Sequence, residues 1–358
     1  MQNIKEKKVI FFYSRIEEKQ IFENIAIELK KEKIKSDFSK NLKKKAEIGF
    51  YCESDSNPSN SKISAIFLGG MDQGRVDWPN IWKKQPWNKF DLGFLPGNNW
   101  ARRWKSCSLD TRSRPKYGVY NVGWPKADLL FFNKKDKIKS KLISKKYKIN
   151  EKKINILYAP SFECFNRQIE VTEAVKKNNY NLIIKHWLVK RETRYNDLWD
   201  NIILANKKSL NLYKKNTIIV DPKENFLDLL KFTNLIITDE SSVAYEGLLN
   251  NIPTISVKDW KIQRHSKALS RYVKPAKITI KTTKSNLSKT IFEVINRGKD
   301  SKINYLKKKE FSHLGESSKI IVKILMRFLD DKKSMKKMKY YLKPQRNKSF
   351  LEKLKSFL

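Results

Sequence analysis

Short apolar runs, each closed by Gly, Pro, Asn or Asp, alternate along this chain with longer segments whose apolar residues recur at helical spacing. "KKVIFFYS" followed by "RIEEKQIFENIAIELKKEK" predicts a strand and then an amphipathic helix with Ile21, Ile25 and Leu29 on one face. "IGFYCES", "ISAIFLGG", "FDLGFLPG" and "YGVYNVGWP" read as further strands, unbroken in apolar character as in a buried parallel sheet. A second series follows: "INILYAPS", "NLIIKHW", "NTIIVDP", "NLIITD" and "PTISV". Helix-like segments separate these strands, among them 195–208, "ENFLDLLKFT" and "SSVAYEGLLNN". Strict strand–helix alternation implies an α/β fold with parallel, doubly wound sheets.

The two series lie on either side of a Lys-rich stretch, 134–154, read as a helix and linker. The expected organisation is a Rossmann-like domain over 1–150, a second over 151–330, and a basic amphipathic tail over 331–358. Open α/β sheets bind ligands at the carboxyl ends of their strands, and two such sheets leave a cleft between them. "SSKIIVKILMRFLDD" reads as the last helix of the second domain.

The stretch "LIITDESSVAYEGLLNNIPTISV" (235–257) carries the most chemistry. A buried strand gives way at Asp-Glu-Ser-Ser to a helix expected over Ser241–Asn250. Ser241 and Ser242 then stand at a helix N-terminus, where backbone N–H groups lack partners and the helix dipole favours an anion. Asp239 or Ser241 would serve equally as an ordinary N-cap. Glu246, one turn on, is either an exposed helix residue or a carboxylate that accepts ribose hydroxyls.

At these residues the chain resembles the CDP-glycerol glycerophosphotransferase family of teichoic-acid-type GT-B transferases. In that family a strand, T-D-x-S-S, a helix and N-x-P recur in this order. "NVGWPKADLL" (121–130) resembles its G-x-P-x-x-D-x-L element, "INILYAPSF" (154–162) its A-P-T strand, and "FSHLGESSKIIVKIL" (311–325) its late Gly-acid-small-Ser segment. "LIIKHWLV" (182–189) is similar, more loosely, to a strand ending K-P-H-P. The likeness covers about residues 120–330. It implies a GT-B-like fold, with two parallel-sheet domains facing a cleft. It also implies transfer of a glycosyl or polyol-phosphate group from a CDP- or UDP-linked donor to a saccharide or lipid-linked acceptor of the cell surface. Position by position it implies that Ser241 and Ser242 hold donor phosphates and Glu246 the ribose. Lys185 and His186 would offset diphosphate charge, with Pro160 and Ser161 lining the pocket. No metal or cofactor is implied.

The chain departs from the family where an H-G-T turn, with its candidate general base, is expected. Here the turn reads "IFLGGMDQGR", and the histidines are His186, His265 and His313. Asp72 is the local substitute for deprotonating an acceptor hydroxyl, beside His186 as a second catalytic candidate. Asp next to Gly also serves plain turn chemistry.

Charge widens the alternatives. Lys and Arg number 77 against 37 acidic residues, a formal +40, so nucleic acid, an anionic membrane surface or a phosphate-bearing substrate all become candidate partners. The excess is mostly Lys, alongside abundant Ile and Asn, which AT-rich coding also produces. A basic tail would suit peripheral attachment to an anionic surface, or simply close back on the first domain. The Trp-rich segment "DWPNIWKKQPWNKF…NNWARRW" is the one stretch suited to stacking on bases or sugar rings. With no nucleic-acid motif present, nucleic acid is the weaker partner. A 2-epimerase acting on UDP-N-acetylglucosamine would share the phosphate site but needs more acid/base residues in the first domain. Three dispersed cysteines suggest neither disulfides nor zinc, and no apolar run approaches membrane-spanning length, so a cytoplasmic protein is expected.

Overall fold

The computed structural model describes residues 7–52, 56–68, 70–71, 82, 85–128, 130, 135–160, 167–186, 196–238, 242–260, 277–298 and 302–345. Asp72, Ser161, Ser241, His265 and residues 346–358 lie outside them.

The first sheet contains β1 (Val9–Phe12), β2 (Ser36–Ser39), β3 (Ala46–Cys52), β4 (Ser61–Phe67), β5 (Leu92–Leu95), β6 (Val119–Asn121) and β13 (Tyr341–Leu342), in the order β13-β6-β5-β4-β3-β1-β2. All its pairings are parallel except β13 with β6. The second sheet is parallel throughout: β7 (Asn155–Tyr158), β8 (Asn181–Lys185), β9 (Thr217–Val220), β10 (Leu235–Ile237), β11 (Thr254–Val257) and β12 (Ile280–Thr282), in the order β12-β11-β10-β7-β8-β9. The strands β1, β5, β7 and β10 are buried from end to end, which explains their apolar sequences. The three strands that the apolar pattern does not reveal, β2 ("SDFS"), β12 ("IKT") and β13 ("YL"), lie at sheet edges, where partial exposure removes the need for an apolar run.

Three expectations change. The Lys-rich stretch forms the helix Lys135–Tyr147, which packs on the helix Phe226–Leu229 and places Ile143 in the second domain's core together with Ile149. The domain boundary therefore falls near the short helix Pro125–Asp128, ahead of residue 150. At the other end, the helix Ser317–Asp330 buries Ile320, Ile321, Ile324, Leu325 and Phe328 in the first domain's core, packed against the helix Ile16–Lys31. The chain then adds β13 to β6, so residues 317–342 complete the first domain rather than ending the second or trailing as a tail.

The third change concerns the tryptophans. Trp82, Trp87, Trp100 and Trp104 are all buried in the first core. Trp100 Nε1 donates to the Gly70 carbonyl at 2.6 Å and Trp104 Nε1 to the Ser113 carbonyl at 3.0 Å. Rings buried in this way are unavailable for stacking on bases or sugars; they are packing residues, two of them with the polar edge satisfied.

The crossover between domains is tightly held. Gly123 has φ +87°, and a Cβ there would meet Ser317 Oγ at 2.4 Å and the Ser312 carbonyl at 2.5 Å, so only glycine fits. Asp128, buried, accepts from the N–H groups of Ser317 (3.1 Å) and Ser318 (2.7 Å) and so caps the last helix. The G-x-P-x-x-D element and the Gly-acid-small-Ser segment are thus two halves of one contact. Asp128→Ala leaves two helix N–H groups buried without that acceptor. It should destabilise the protein by about 1–3 kcal/mol, read as a lower urea midpoint at unchanged m-value; an unchanged midpoint would refute the capping role.

Candidate functional site

The carboxyl ends of the second sheet's central strands converge on one pocket. Ala159 N–H donates to the Ile237 carbonyl at 3.0 Å, and Thr238 Oγ1 donates to the Ala159 carbonyl at 2.6 Å, tying the ends of β7 and β10 together. The chain beyond β10 re-enters as the helix Val243–Leu249. That helix lies hard against the sheet because of Gly247: a Cβ would sit 2.7 Å from both Ile236 Cδ1 and Thr254 Oγ1. Close approach is what brings Glu246 to the pocket wall. Ser242 begins the helix and makes no side-chain cap; Asp239 and Ser241, the residues of the capping reading, lie outside the described residues.

The pocket is lined by Pro160, Lys185, His186, Ser242 and Glu246, so five of the residues expected from the sequence come together; Asp72, Ser161 and Ser241 lie outside the described residues. From the first domain come Ile16, Glu17 and Gln20, at the start of the first helix, and from the crossover comes Lys126. Neither Lys126 nor Glu17 is singled out by the sequence. A cation three residues after the glycine of the G-x-P-x-x-D-like element was the available signal for the first; nothing local marked the second.

Lys126 and Glu246 form a buried ion pair, Nζ to Oε1 at 2.6 Å. The other oxygen of Glu246, Oε2, makes no hydrogen bond among the described residues. Lys185, nine-tenths buried, donates to the Pro222 carbonyl at 2.9 Å. Its burial and the nearby charge of Lys126 push its pKa down to about 8, against the opposing pull of Glu246, Glu17 and Asp221. The pocket therefore holds two lysines close enough to influence one another, with the Glu246 carboxylate acting on both.

His186 differs from its expected part. Its Nε2 lies 3.0 Å from Asn206 Oδ1 and 3.4 Å from Gln168 Nε2. Burial, reinforced by Lys185, pushes its pKa down to about 4. The imidazole is neutral at physiological pH, so positive charge in the pocket comes from Lys185 and Lys126 instead. His313 lies elsewhere, its ring edge-on to Tyr340.

The helix Val243–Leu249 also holds the domains together. Tyr245, Leu248 and Leu249 join the first domain's core, and Asn99 Nδ2 donates to the Tyr245 hydroxyl at 2.7 Å and to the Met71 carbonyl at 3.2 Å. One short helix thus serves both as pocket wall and as domain contact.

The model of the CDP-glycerol:poly(glycerophosphate) glycerophosphotransferase family matches residues 112–326. The chain belongs to that family. This glycerophosphotransferase-family protein is an enzyme of the transferase class. Among solved structures it is similar to the wall teichoic acid polymerase TagF, with TM-score 0.63 and 15% identity over 91% of this chain and 90% of that one. It is also similar to S. aureus MnaA solved with UDP, with TM-score 0.59 and 14% identity over 90% and 97%. A UDP-GlcNAc 2-epimerase from Neisseria meningitidis gives 0.58 and 14% over 89% and 100%. These likenesses establish the GT-B-like fold. Comparison with curated protein sequences gives no match.

If the Lys126–Glu246 pair braces the site, removing either partner strands a buried charge, at about 3–5 kcal/mol. Lys126→Met and Glu246→Leu should each lower the thermal midpoint, while the double variant should lose much less than the sum of the two. Additive losses would show that the pair is not coupled in solution.

Proposed function

We propose that this pocket is the donor site of the family's reaction, binding a CDP-linked polyol phosphate. The observation that carries the reading is the convergence of Lys185, Lys126 and Glu246 at the carboxyl ends of β7, β8 and β10, where α/β sheets take phosphorylated ligands. Lys185 and Lys126 offset the diphosphate. Glu246 accepts ribose hydroxyls through Oε2, with Lys126 holding Oε1 and so fixing the carboxylate's orientation. Ser242, Ser241, Pro160 and Ser161 contact the phosphates and base from the strand ends and the helix start. His186 acts through its neutral ring as a positioning group.

The chemistry follows from charge. As the bond to the leaving nucleotide breaks, negative charge grows on its terminal phosphate oxygen. Two preorganised cations in a site shielded from water stabilise that charge better in the transition state than in the ground state. The fold is shared with the UDP-GlcNAc 2-epimerases, yet the family match favours transfer over epimerisation.

The acceptor is a cell-envelope polyol phosphate or saccharide chain on a lipid anchor. Lys332, Lys333, Lys336, Lys337, Lys339 and Lys343 are all exposed where the chain returns to the first domain, a basic face suited to an anionic membrane. In this reading the protein works at the inner face of the membrane, without crossing it; no described helix is long and apolar enough to do so. Sedimentation with phosphatidylglycerol vesicles checks this, and binding unaffected by Lys→Glu changes in that face would refute it.

Donor binding is tested by thermal shift with CDP, CMP, UDP, GDP and CDP-glycerol. CDP and CDP-glycerol should stabilise the wild type, and Ser242→Ala with Glu246→Ala should abolish the shift. No shift with any nucleotide would remove the donor-site reading. Binding should also depend on pH with a definite sign. An anionic ligand favours charged Lys185, whose pKa in the free protein is about 8, so affinity should fall as pH rises above that value. Lys185→Met should weaken binding and flatten the dependence; a pH-independent affinity in the wild type would deny Lys185 the role.

A further inference from the structure

Transfer to a hydroxyl acceptor needs a group that removes the hydroxyl proton, and the pocket's three carboxylates differ in how they are engaged. Glu246 holds Lys126 through Oε1 at 2.6 Å. Glu224 is taken by Lys146 Nζ at 2.6 Å and by the Tyr147 hydroxyl at 3.1 Å. Glu17 lines the same pocket and makes no hydrogen bond or ion pair among the described residues.

A carboxylate in the first turn of a helix is favourable to the helix dipole, and that would be the ordinary account of Glu17. Here Glu18 already performs the local duties. Its carboxylate accepts from Ser14 N at 2.7 Å and Arg15 N at 3.2 Å, and pairs with the Arg15 guanidinium at 2.8 Å. Glu18 is buried by these contacts, whereas Glu17 is exposed enough to meet a ligand and faces the cleft. Its position is also distinctive. Glu17 stands on the first domain, just after β1, while Lys185 and Glu246 stand on the second. A carboxylate on the wall opposite the donor cations is where an acceptor entering between the domains would meet it. Its charge is felt at Lys185.

We propose that Glu17 is the general base for the acceptor hydroxyl. The assignment rests on the donor-pocket reading above. The acceptor O–H proton passes to a Glu17 carboxylate oxygen as the acceptor oxygen forms a bond to the donor's polyol-bearing phosphorus. The bond from that phosphorus to the bridging oxygen breaks, and its electron pair leaves on CMP beside Lys185 and Lys126. Glu17 then returns its proton to water.

The test uses the full chain with CDP-glycerol as donor and a glycerol-phosphate oligomer as acceptor. Glu17→Gln should lower kcat by about 10²–10⁴-fold, the usual worth of general base catalysis, while the CDP thermal shift stays at the wild-type value. The acidic limb of the wild-type kcat–pH profile should vanish in the variant. Formate should restore activity to Glu17→Ala, where it can occupy the vacated space, and not to Glu17→Gln. Asp72→Asn should keep the acidic limb. Activity of Glu17→Gln near that of the wild type, or loss of the CDP shift together with activity, overturns the proposal, as does an acidic limb that disappears with Asp72→Asn instead. A wild type that gives no CDP shift brings down the pocket reading itself. A normal wild-type shift with an active Glu17→Gln brings down the base alone.

Discussion

The site depends on the buried contact between Lys126 and Glu246. One partner belongs to the crossover that leaves the first sheet, the other to the helix that follows β10, so the ion pair joins distant parts of the chain across the cleft. Neither charge would be tolerated in that position alone, since burying an uncompensated ion is strongly unfavourable. The pair therefore constrains where the crossover, the helix Val243–Leu249 and the neighbouring Lys185 lie relative to one another. Charge placement then follows: the Glu246 carboxylate, paired with Lys126 and felt at Lys185, lets two ammonium groups lie near one another without exposing either lysine to bulk water.

The same economy of parts recurs in the helix Val243–Leu249. Gly247 lets it press on the sheet, Glu246 points to the pocket, and Tyr245, Leu248 and Leu249 enter the core of the other domain. A rotation of this helix would disturb the pocket wall and the domain interface together. Pocket shape and domain arrangement are coupled through one element whose opposite faces do different work.

Much of this was legible in the sequence, for a definite reason. Central strands of parallel sheets are apolar throughout, so β1, β3–β8, β10 and β11 declare themselves, as does β9 at its edge through the run Ile218–Val220, and Ser242 with Glu246 marks the pocket. Edge strands β2, β12 and β13 carry no such requirement and stay hidden. The tryptophans mislead because stacking platforms and core rings have the same composition; only burial separates them. His186 misleads because a neutral, buried imidazole and a charged one read alike as letters. Lys126 is visible as a motif residue, yet its partner lies 120 positions away, and long-range pairing leaves no local pattern. Glu17 looks like any first-turn helix acid until the pocket is closed around it.

The return of the chain to β6 has a consequence for how the protein is made. The first sheet lacks its edge strand, and its core lacks the helix Ser317–Asp330, until the second domain has been synthesised. On the ribosome the second domain has all its own strands available first, while the first must wait with an apolar face uncovered. Contacts of such sequence separation slow folding and leave surface open to association. A chain broken off near its end would therefore keep an intact second domain beside an unfinished first one, and the cell's proteases would meet the damage at the N-terminal half, far from the missing residues.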